Sequence, residues 1–400
     1  MSGFLAHKRS LNFFVITRTL RNLKLMFSKN LDNNVEKIMT KRLYIGAMLV
    51  TSAQLAAAQP SVTLYGIADV GVEYLSNANA AGNKLVRMTT GNVAASRWGL
   101  RGVEDLGSGT KAVFVLENGY DIDTGVINQG GRLFGRQAFV GLENQWGRVT
   151  LGRQPNAFLD VLGSYDPLVL AGRYSAITFE PNFVGRYDNT AKYTGKFGPW
   201  TAIALYSFAR GTSITANGTT SFGTETPGDL KSDRAYAGGV QYAANNFGAT
   251  VIYDQQQGTR GIAGQNSNQH DQRLVVAGNY RFGSSTVFAG YRWLNGDIGV
   301  AAGAPTRRTD YYWVGYRQQI MPALALTAAG YYLNDRRSGA DPWILVGSAD
   351  YSLSKRTDLY LTVGYVKNKD NSNYGLNGLN NTINPGQNQL GVTMNIRHIF

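Results

Sequence analysis

The chain lacks cysteine entirely and has only three histidines, His7, His270 and His398. Without cysteine there is no disulfide framework, no thiolate metal site and no cysteine nucleophile. The three histidines leave no cluster that could bind a metal, and no Gly-x-Ser-x-Gly nucleophile elbow occurs. Charged residues make up 16% of the chain, well below the quarter usual in soluble domains. We therefore expect no cofactor, no metal and no catalytic residues.

Long apolar runs are also missing after residue 58, which excludes membrane-spanning helices there. Upstream, Lys41 and Arg42 precede a short apolar segment that ends in the small-x-small pattern of Ala56 and Ala58. This arrangement predicts a signal peptide over residues 39–58 and a mature chain, residues 59–400, that begins at Gln59. Residues 1–38 would make the charged leader far too long, so we interpret them as a misassigned upstream extension.

More than half of the net positive charge of the chain comes from residues 1–58. The net charge is +13, but residues 1–58 contain nine Lys or Arg and two Asp or Glu, a net of +7. The remaining chain is therefore +6. A charge carried mostly by a removed segment gives no reason to expect a nucleic-acid partner.

What the chain has in quantity is glycine (48 residues), tyrosine (23) and alternating strands. At the carboxyl end, Leu390, Met394 and Ile396 fall on one parity, whereas Thr393 and Asn395 fall on the other. This period of two predicts a strand with one apolar and one polar face. We predict sixteen strands in all, at residues 62–74, 96–104, 110–121, 134–143, 147–154, 186–195, 200–209, 234–244, 247–257, 271–282, 284–294, 308–319, 323–334, 343–353, 356–368 and 388–400.

The connections between these strands alternate between short and long. Short turns at one end and long loops at the other are typical of an antiparallel transmembrane β-barrel, whose even strand count places both termini at the periplasmic end. About sixteen strands leave a water-filled lumen. The long connections are residues 75–95, 122–133, 155–185, 210–233, 258–270, 295–307, 335–342 and 369–387.

Aromatic side chains should form two belts where the wall meets the membrane surfaces. For the periplasmic rim we predict Phe400, His398, Tyr351, Trp200 and Phe247. For the outer rim we predict Trp293, Trp313 and Trp343.

The third long connection, residues 155–185, is unusually apolar for a loop of its length. An apolar loop needs cover, which the barrel interior would supply, so we expect it to fold into the lumen. Packing at a subunit contact is the alternative.

Several motifs resemble those of the Gram-negative general diffusion porins, especially the beta-proteobacterial branch. They include Ser96-Arg97-Trp98-Gly99-Leu100-Arg101-Gly102-Val103-Glu104-Asp105, Gly135-Arg136-Gln137-Ala138-Phe139-Val140-Gly141, Asp188-Asn189-Thr190-Ala191-Lys192-Tyr193 and Arg397-His398-Ile399-Phe400. The resemblance implies a homotrimer of sixteen-stranded barrels in the outer membrane, each narrowed by its third long loop. It also implies arginines on the wall opposite that loop, at the positions of Arg97, Arg136 and Arg186.

The same residues suggest a filter for charged solutes. Arg97 and Arg101 share one parity of the second strand, and Arg186, Asp188 and Lys192 share one parity of the sixth. Together with Arg136, the basic residues Arg97, Arg101, Arg186 and Lys192 would form a basic wall. Acidic residues of the third loop would face this wall and lay a transverse field over the pore. These loop residues are Asp160, Asp166 and Glu180.

We therefore expect a passive channel for small hydrophilic solutes and ions, with a mild anion preference. A substrate-selective channel is the alternative, and it would need an aromatic track in which Tyr65, Tyr280 or Tyr360 faces the lumen. An outer-membrane barrel enzyme is a weaker alternative. The expected partners are two further copies of the chain, outer-membrane lipid and lipopolysaccharide, and the barrel-assembly machinery through the terminal Phe400.

Overall fold

The computed structural model describes residues 61–216, 219–376 and 383–400. The predictions made for residues 1–58 lie outside this part of the chain and stay predictions. Seventeen strands of the described residues form one antiparallel sheet, and a two-stranded hairpin forms a second. The large sheet contains β1 (Ser61–Leu75), β2 (Leu85–Thr90), β3 (Arg97–Gly107), β4 (Thr110–Gly119), β5 (Gln137–Asn144), β6 (Gly147–Pro155), β7 (Arg186–Phe197), β8 (Trp200–Ser207), β11 (Ala235–Ala244), β12 (Phe247–Gln257), β13 (His270–Phe282), β14 (Ser285–Gly296), β15 (Arg307–Met321), β16 (Leu324–Asp335), β17 (Trp343–Ser352), β18 (Thr357–Lys367) and β19 (Gln389–Ile399), and the hairpin contains β9 (Ser213–Ala216) and β10 (Thr219–Phe222).

The large sheet closes on itself. Strand β1 pairs with β19 from Ile67–Ile399 to Leu75–Gly391. Beyond them, Gly66 and Phe400 exchange two backbone hydrogen bonds of 3.0 and 3.1 Å. On its other side β1 pairs with β3 through its first half and with β2 through its second half, so β2 and β3 form one interrupted wall strand. The wall therefore has sixteen positions, as predicted, and closure pairs the backbone groups that lipid could not satisfy.

The two faces of the wall have the predicted chemistry. On β19, Leu390, Met394 and Ile396 are exposed on the outer surface, whereas Thr393 and Asn395 are buried on the inner one. The same alternation holds in β1, β12 and β18. An apolar outer face and a polar inner face are the pattern of a barrel with lipid outside and water inside.

The alternation of short turns and long loops is confirmed, but two elements inside the loops were missed. Strand β2 and the β9–β10 hairpin lie within segments that we had assigned to loops. The interruption between β2 and β3 has a local cause. The Asp69 carboxylate, buried on the inner face of β1, accepts hydrogen bonds from the backbone N–H groups of Asn92, Val93 and Ala94 at 2.8–3.1 Å. These bonds hold the segment over a β1 side chain and out of the strand ladder before β3 begins.

The aromatic belts are largely as predicted. Phe400, Tyr351, Trp200 and Phe247 are exposed on the outer face near the short turns. The prediction was wrong for Trp313, which lies on the inner face with Tyr311 and is buried. A neighbouring glycine makes this possible, because a side chain at Gly290 would overlap the Trp313 ring.

The third long loop lies inside the barrel. It contributes most of one apolar cluster, which it shares with inward side chains of the wall from β8 to β18. The described helices are short: Asn128–Gly131, Ala157–Val161, and the 3-10 turns Leu162–Ser164, Ala176–Thr178 and Pro181–Val184. None of the helices in the described residues is long and apolar enough to cross a membrane.

Candidate functional site: the constriction formed by the third loop

The third loop leaves β6 through a capped helix. The Asn156 side chain accepts a hydrogen bond from the Leu159 N–H at 2.9 Å, which caps the helix Ala157–Val161. Phe158 and Val161 of this helix are buried. Their apolar cover is the inner wall, so the sequence of the loop itself favours the lumen.

Four wall side chains hold the middle of the loop. The Trp313 indole N–H donates to the Tyr165 carbonyl at 3.0 Å. Tyr331 donates to the Asp166 carboxylate at 2.8 Å. Arg273 and Arg292 form ion pairs with Glu180 at 3.3 and 3.1 Å. All four belong to β13–β16, so this arc of the wall is covered by the loop.

The loop also reaches β1 on the far side of the barrel. The Arg173 N–H donates to the Asn92 carbonyl at 3.1 Å, and the Tyr174 hydroxyl donates to Glu73 at 2.9 Å. Gly391 lies under Tyr174, where an added Cβ would overlap the hydroxyl oxygen. The loop therefore packs against the inner wall around most of the lumen and leaves the wall from β3 to β5 uncovered.

A cavity of about 530 Å³ separates the loop from this uncovered wall. The loop side of the cavity is mainly apolar, with Leu159, Leu168, Val169, Leu170, Ile177 and Val184. Six arginines line the cavity, namely Arg97, Arg136, Arg173, Arg186, Arg317 and Arg397. The only carboxylate among its described lining residues is Asp350. Four of these arginines have a carboxylate partner: Arg136 with Glu117, Arg173 with Glu73, Arg317 with Asp350 and Arg397 with Asp358. The excess positive charge in this part of the lumen therefore comes from Arg97 and Arg186.

The three arginines predicted from the motifs differ in how they are held. Arg136 is buried and pairs with Glu117 at 2.7 Å, and Tyr65 donates to the other oxygen of that carboxylate at 2.9 Å. Arg97 and Arg186 form no ion pair within the described residues. Each donates instead to a backbone carbonyl two residues away, at 3.1 Å. Their charges are therefore not neutralised by a fixed carboxylate.

Two predicted members of the basic wall lie elsewhere. Arg101 is exposed and packs over the Tyr65 ring, 5.4 Å from its centroid, outside the lining of this cavity. Lys192 pairs with Asp160 at 2.7 Å in a separate cavity. Asp188, expected on the same face as Arg186, instead binds Arg132 and Arg153 at the point where the β6–β7 register shifts.

Asp166 and Glu180 are bound on the opposite arc of the wall, whereas Asp160 pairs with Lys192 of the predicted basic wall. Asp160 is held by Lys192, and burial raises the pKa of its carboxyl group. Asp166 is buried under Tyr331, and burial raises its pKa to about 6. Burial alone would raise the pKa of Glu180 as well, but Arg273 and Arg292 hold it below its usual value. These carboxylates fasten the loop to the wall, and of the three only Asp160 lies against a member of the predicted basic wall.

Four charged lining residues were not predicted from the sequence: Arg173, Arg317, Arg397 and Asp350. A signal existed for Arg397, which lies on the polar parity of β19. Arg173 sits in a loop without periodicity, and strand parity alone does not tell which lumen residues reach the narrow zone.

An aromatic track is not present in the predicted form. Tyr280 is exposed on the outer face. Tyr65 and Tyr360 point inward, but both hydroxyls are committed to carboxylates, Glu117 and Asp69 respectively.

Known proteins with similar sequences and folds agree with this architecture. The family model for the Gram-negative porin matches residues 46–371. An outer membrane porin protein of Bordetella pertussis is 31% identical over 370 residues, which cover 82% of this chain and 95% of that protein. Outer membrane porin protein 32 of Delftia acidovorans is 30% identical over 383 residues, which cover 90% of this chain and 100% of that protein.

Solved structures give the same result. The anion-selective porin from Comamonas acidovorans superposes with a TM-score of 0.73 at 28% identity, over 86% of this chain and 100% of that one. A trimer form of OmpT, an outer membrane protein of Vibrio cholerae, has a TM-score of 0.60 at 16% identity, over 85% and 99% of the two chains, and so shares the fold.

A closed sixteen-stranded wall around a polar lumen, narrowed by an inward loop, is the architecture of a diffusion channel. The chain belongs to the Gram-negative porin family. It is an outer-membrane channel for the passive diffusion of small hydrophilic solutes, and not an enzyme.

Proposed function

We propose that the channel prefers anions and that Arg97, Arg136 and Arg186 form its selectivity filter. The observation that carries this proposal is that Arg97 and Arg186 line the constriction cavity without an ion pair among the described residues. A solute entering this zone meets the side chains of Arg97 and Arg186 with no carboxylate bound to them. The anion selectivity named for the Comamonas acidovorans porin supports the same direction.

The roles within the trio follow from their contacts. Arg136 is tied to Glu117, so it contributes little net charge and mainly positions that carboxylate. Arg97 and Arg186 supply the field. Low-dielectric walls focus the field of charges that line a cleft, so two uncompensated cations act strongly on a passing ion.

A substrate-selective channel is less well supported. It would need a continuous aromatic track, but Tyr280 faces outward and the hydroxyls of Tyr65 and Tyr360 are occupied. The apolar loop side of the cavity offers no hydrogen-bonding groups from its leucines, valines and isoleucine to recognise one particular solute.

We also propose a homotrimer, because the outer face is chemically one-sided. Between residues 61 and 155 the large exposed apolar side chains are aliphatic except for Trp146 in a short turn. From β7 to β17 the exposed set includes Phe197, Trp200, Phe247, Tyr280, Phe282, Tyr312, Tyr316, Tyr332 and Tyr351. Aromatic rings favour membrane interfaces. The arc β1–β6 has fewer exposed rings, since its outward rings Tyr74, Trp98 and Phe114 are partly buried, and it is the surface we assign to subunit contact.

Two further partners belong to this proposal. The aromatic arc β7–β17 would contact outer-membrane lipid and lipopolysaccharide. The terminal Phe400, whose ring lies over Gly66 at the closing seam of the barrel, would be recognised by the barrel-assembly machinery before that seam forms.

Charge reversal at Arg97 tests the filter. Reversal potentials across a tenfold salt gradient in planar bilayers should shift toward cation preference for Arg97→Glu and Arg186→Glu. The matched control is Arg260→Glu in an exposed outer loop, where salt screens a charge within about 8–10 Å. If the control moves the reversal potential as far as the wall variants do, selectivity is a net-charge effect and the filter assignment is wrong.

A further inference from the structure

The constriction opens into a second cavity on the periplasmic side. This cavity has a volume of about 680 Å³ and is lined by residues of two short turns, Asn245–Asn246 and Gly283–Ser284. The short turns mark the periplasmic end of the barrel, so the second cavity is the exit that a solute reaches after the constriction.

The two cavities share four lining residues, Gly163, Pro167, Val169 and Arg317. Three belong to the third loop and the fourth to β15. The neck between the cavities therefore lies between the loop and Arg317, which is the one charged residue that lines both.

The neck is built by close packing on β15. Pro167 lies directly over Gly315, where an added Cβ would overlap the proline ring. This contact fixes the loop against β15 two residues before Arg317. Arg317 is thus held at the point where the passage changes from the constriction to the exit.

Arg317 is weakly paired. Its nearest carboxylate oxygen, on Asp350, is 3.7 Å away, and the two side chains are 36% and 28% exposed. An ion pair of this length and exposure contributes little to stability. Arg273 and Arg292, by contrast, are 8% and 2% exposed and are bound to Glu180. Arg317 is therefore free to attract mobile ions in a way that the arginines under the loop are not.

The surroundings of the neck suit a small anion. Arg281 adds a second cation in the exit cavity, and Asn279, Thr286 and Gln319 add neutral polar groups. Asp166, the one acid among the described residues that line this cavity, is buried and bonded to Tyr331. Asp350 is the only carboxylate of the constriction lining and lies beside Arg317.

We propose that Arg317, with Arg281, forms a second anion-binding station at the periplasmic end of the constriction, and that Asp350 sets its strength. The ligands are small inorganic and organic anions, for which chloride is the probe. The station rests on the proposed anion preference, but it uses none of the residues of the filter trio. Anions leaving Arg97 and Arg186 would pass to Arg317 before entering the exit cavity.

The station predicts opposite effects for the two members of the ion pair. In planar bilayers with full-length protein, Arg317→Gln should lower the chloride-to-potassium permeability ratio and Asp350→Asn should raise it. Each change should be roughly two- to fivefold, since a narrow low-dielectric passage focuses the field of a single charge. Arg317→Gln should also raise the chloride concentration at which single-channel conductance half-saturates.

Matched controls remove the same charges at the exposed periplasmic rim, with Lys355→Gln for the arginine and Glu104→Gln for the aspartate. A purely structural ion pair would give both variants the same lowered heat-modification temperature and no opposed shifts in permeability. Shifts of the same sign, no shift, or shifts equal to the rim controls would overturn the station. If Arg97→Glu shifts selectivity and Arg317→Gln does not, the filter stands and the station fails. If Arg317→Gln shifts selectivity and Arg97→Glu does not, the station stands and the filter fails.

Discussion

At the scale of single residues, the arginines of the lumen divide by their partners. Arg273 and Arg292 are buried and bound to Glu180, so they stabilise the loop. Arg97 and Arg186 line the constriction without an ion pair among the described residues. One pair of arginines therefore stabilises the fold, whereas the other pair, in our proposal, selects ions. The difference lies in which carboxylate the third loop brings to each.

Asp166 should give the loop a measurable pH dependence. Burial raises the pKa of this carboxyl to about 6 in the folded protein, whereas an unfolded aspartate titrates near 4. The folded state therefore binds the proton more tightly, and the resulting stability is complete below about pH 4 and is lost as the pH rises to 6. The shift corresponds to roughly 2–3 kcal/mol. The heat-modification temperature of the wild type, relative to Asp166→Asn, should rise as the pH falls from 7.5 to 4.5.

The control for this measurement is Asp123→Asn, in an exposed loop. Its temperature difference from the wild type should not vary over the same pH range. A pH-independent difference for Asp166→Asn would show that the carboxyl does not titrate in this window.

The sequence predicted some of these residues and not others for a physical reason. Arg97 could be placed on the lumen face because it lies in a strand with a period of two. Asp160, Asp166 and Glu180 lie in a loop, where spacing along the chain does not determine direction. Their positions depend on distant partners such as Lys192 and Tyr331, and neither partner can be identified without the folded barrel.

At the scale of elements, the third loop can pack against the wall only because glycines lie beneath it. A Cβ at Gly315 would overlap Pro167, and one at Gly391 would overlap Tyr174. Such positions leave space for a second layer of chain inside the barrel. Part of the high glycine content is therefore explained by the space that the loop needs against the wall. Composition alone does not tell which glycines have this role.

Gly315→Val should displace the loop from β15. The added side chain would overlap the Pro167 ring already at Cβ, and a fixed proline ring cannot turn aside. We expect the loop to shift away from the wall, which would lower single-channel conductance and make the current noisier.

The matched control is Gly347→Val on β17. An added Cβ there would have no heavy atom within 4 Å, so conductance should stay at the wild-type level. If both variants conduct like the wild type, the loop is not seated on Gly315.

Strands were easier to predict than loop structure. Along each wall strand, successive side chains face lipid and water in turn, so apolar and polar residues alternate in the sequence. Strand β2 was missed even though Val86 and Met88 alternate with Arg87 and Thr89, because the segment lies between stretches rich in asparagine, alanine and glycine. The capped helix at Asn156 was missed because five residues are too few to show a helical period.

At the scale of the whole molecule, the outer surface and the lumen are asymmetric in a related way. The third loop covers the inner wall from about β8 to β18, and most of the exposed aromatic rings lie on the outer side of the same arc. The strands β3–β5, which lack the loop inside, belong to the aliphatic arc that we assign to subunit contact. Partner subunits would then support the part of the wall that has no internal packing.

This assignment predicts where a charge breaks the trimer. Val72 on β1 and Val251 on β12 are exposed on the outer face to 51% and 49%, so they are matched in residue type and accessibility. An arginine at either position costs about 2–4 kcal/mol near the middle of the membrane. Only at Val72 would it also be buried against a second subunit.

We expect Val72→Arg to run as a monomer in native electrophoresis after mild detergent extraction, while Val251→Arg keeps the mass of the wild type. Both variants should still convert between folded and unfolded forms on heating, which shows that each barrel closes. If Val251→Arg dissociates and Val72→Arg does not, the contact surface lies on the aromatic arc. If the wild type and both variants all run at the mass of one subunit, the protein is a monomer. The one-sided distribution of aromatic rings then needs another cause.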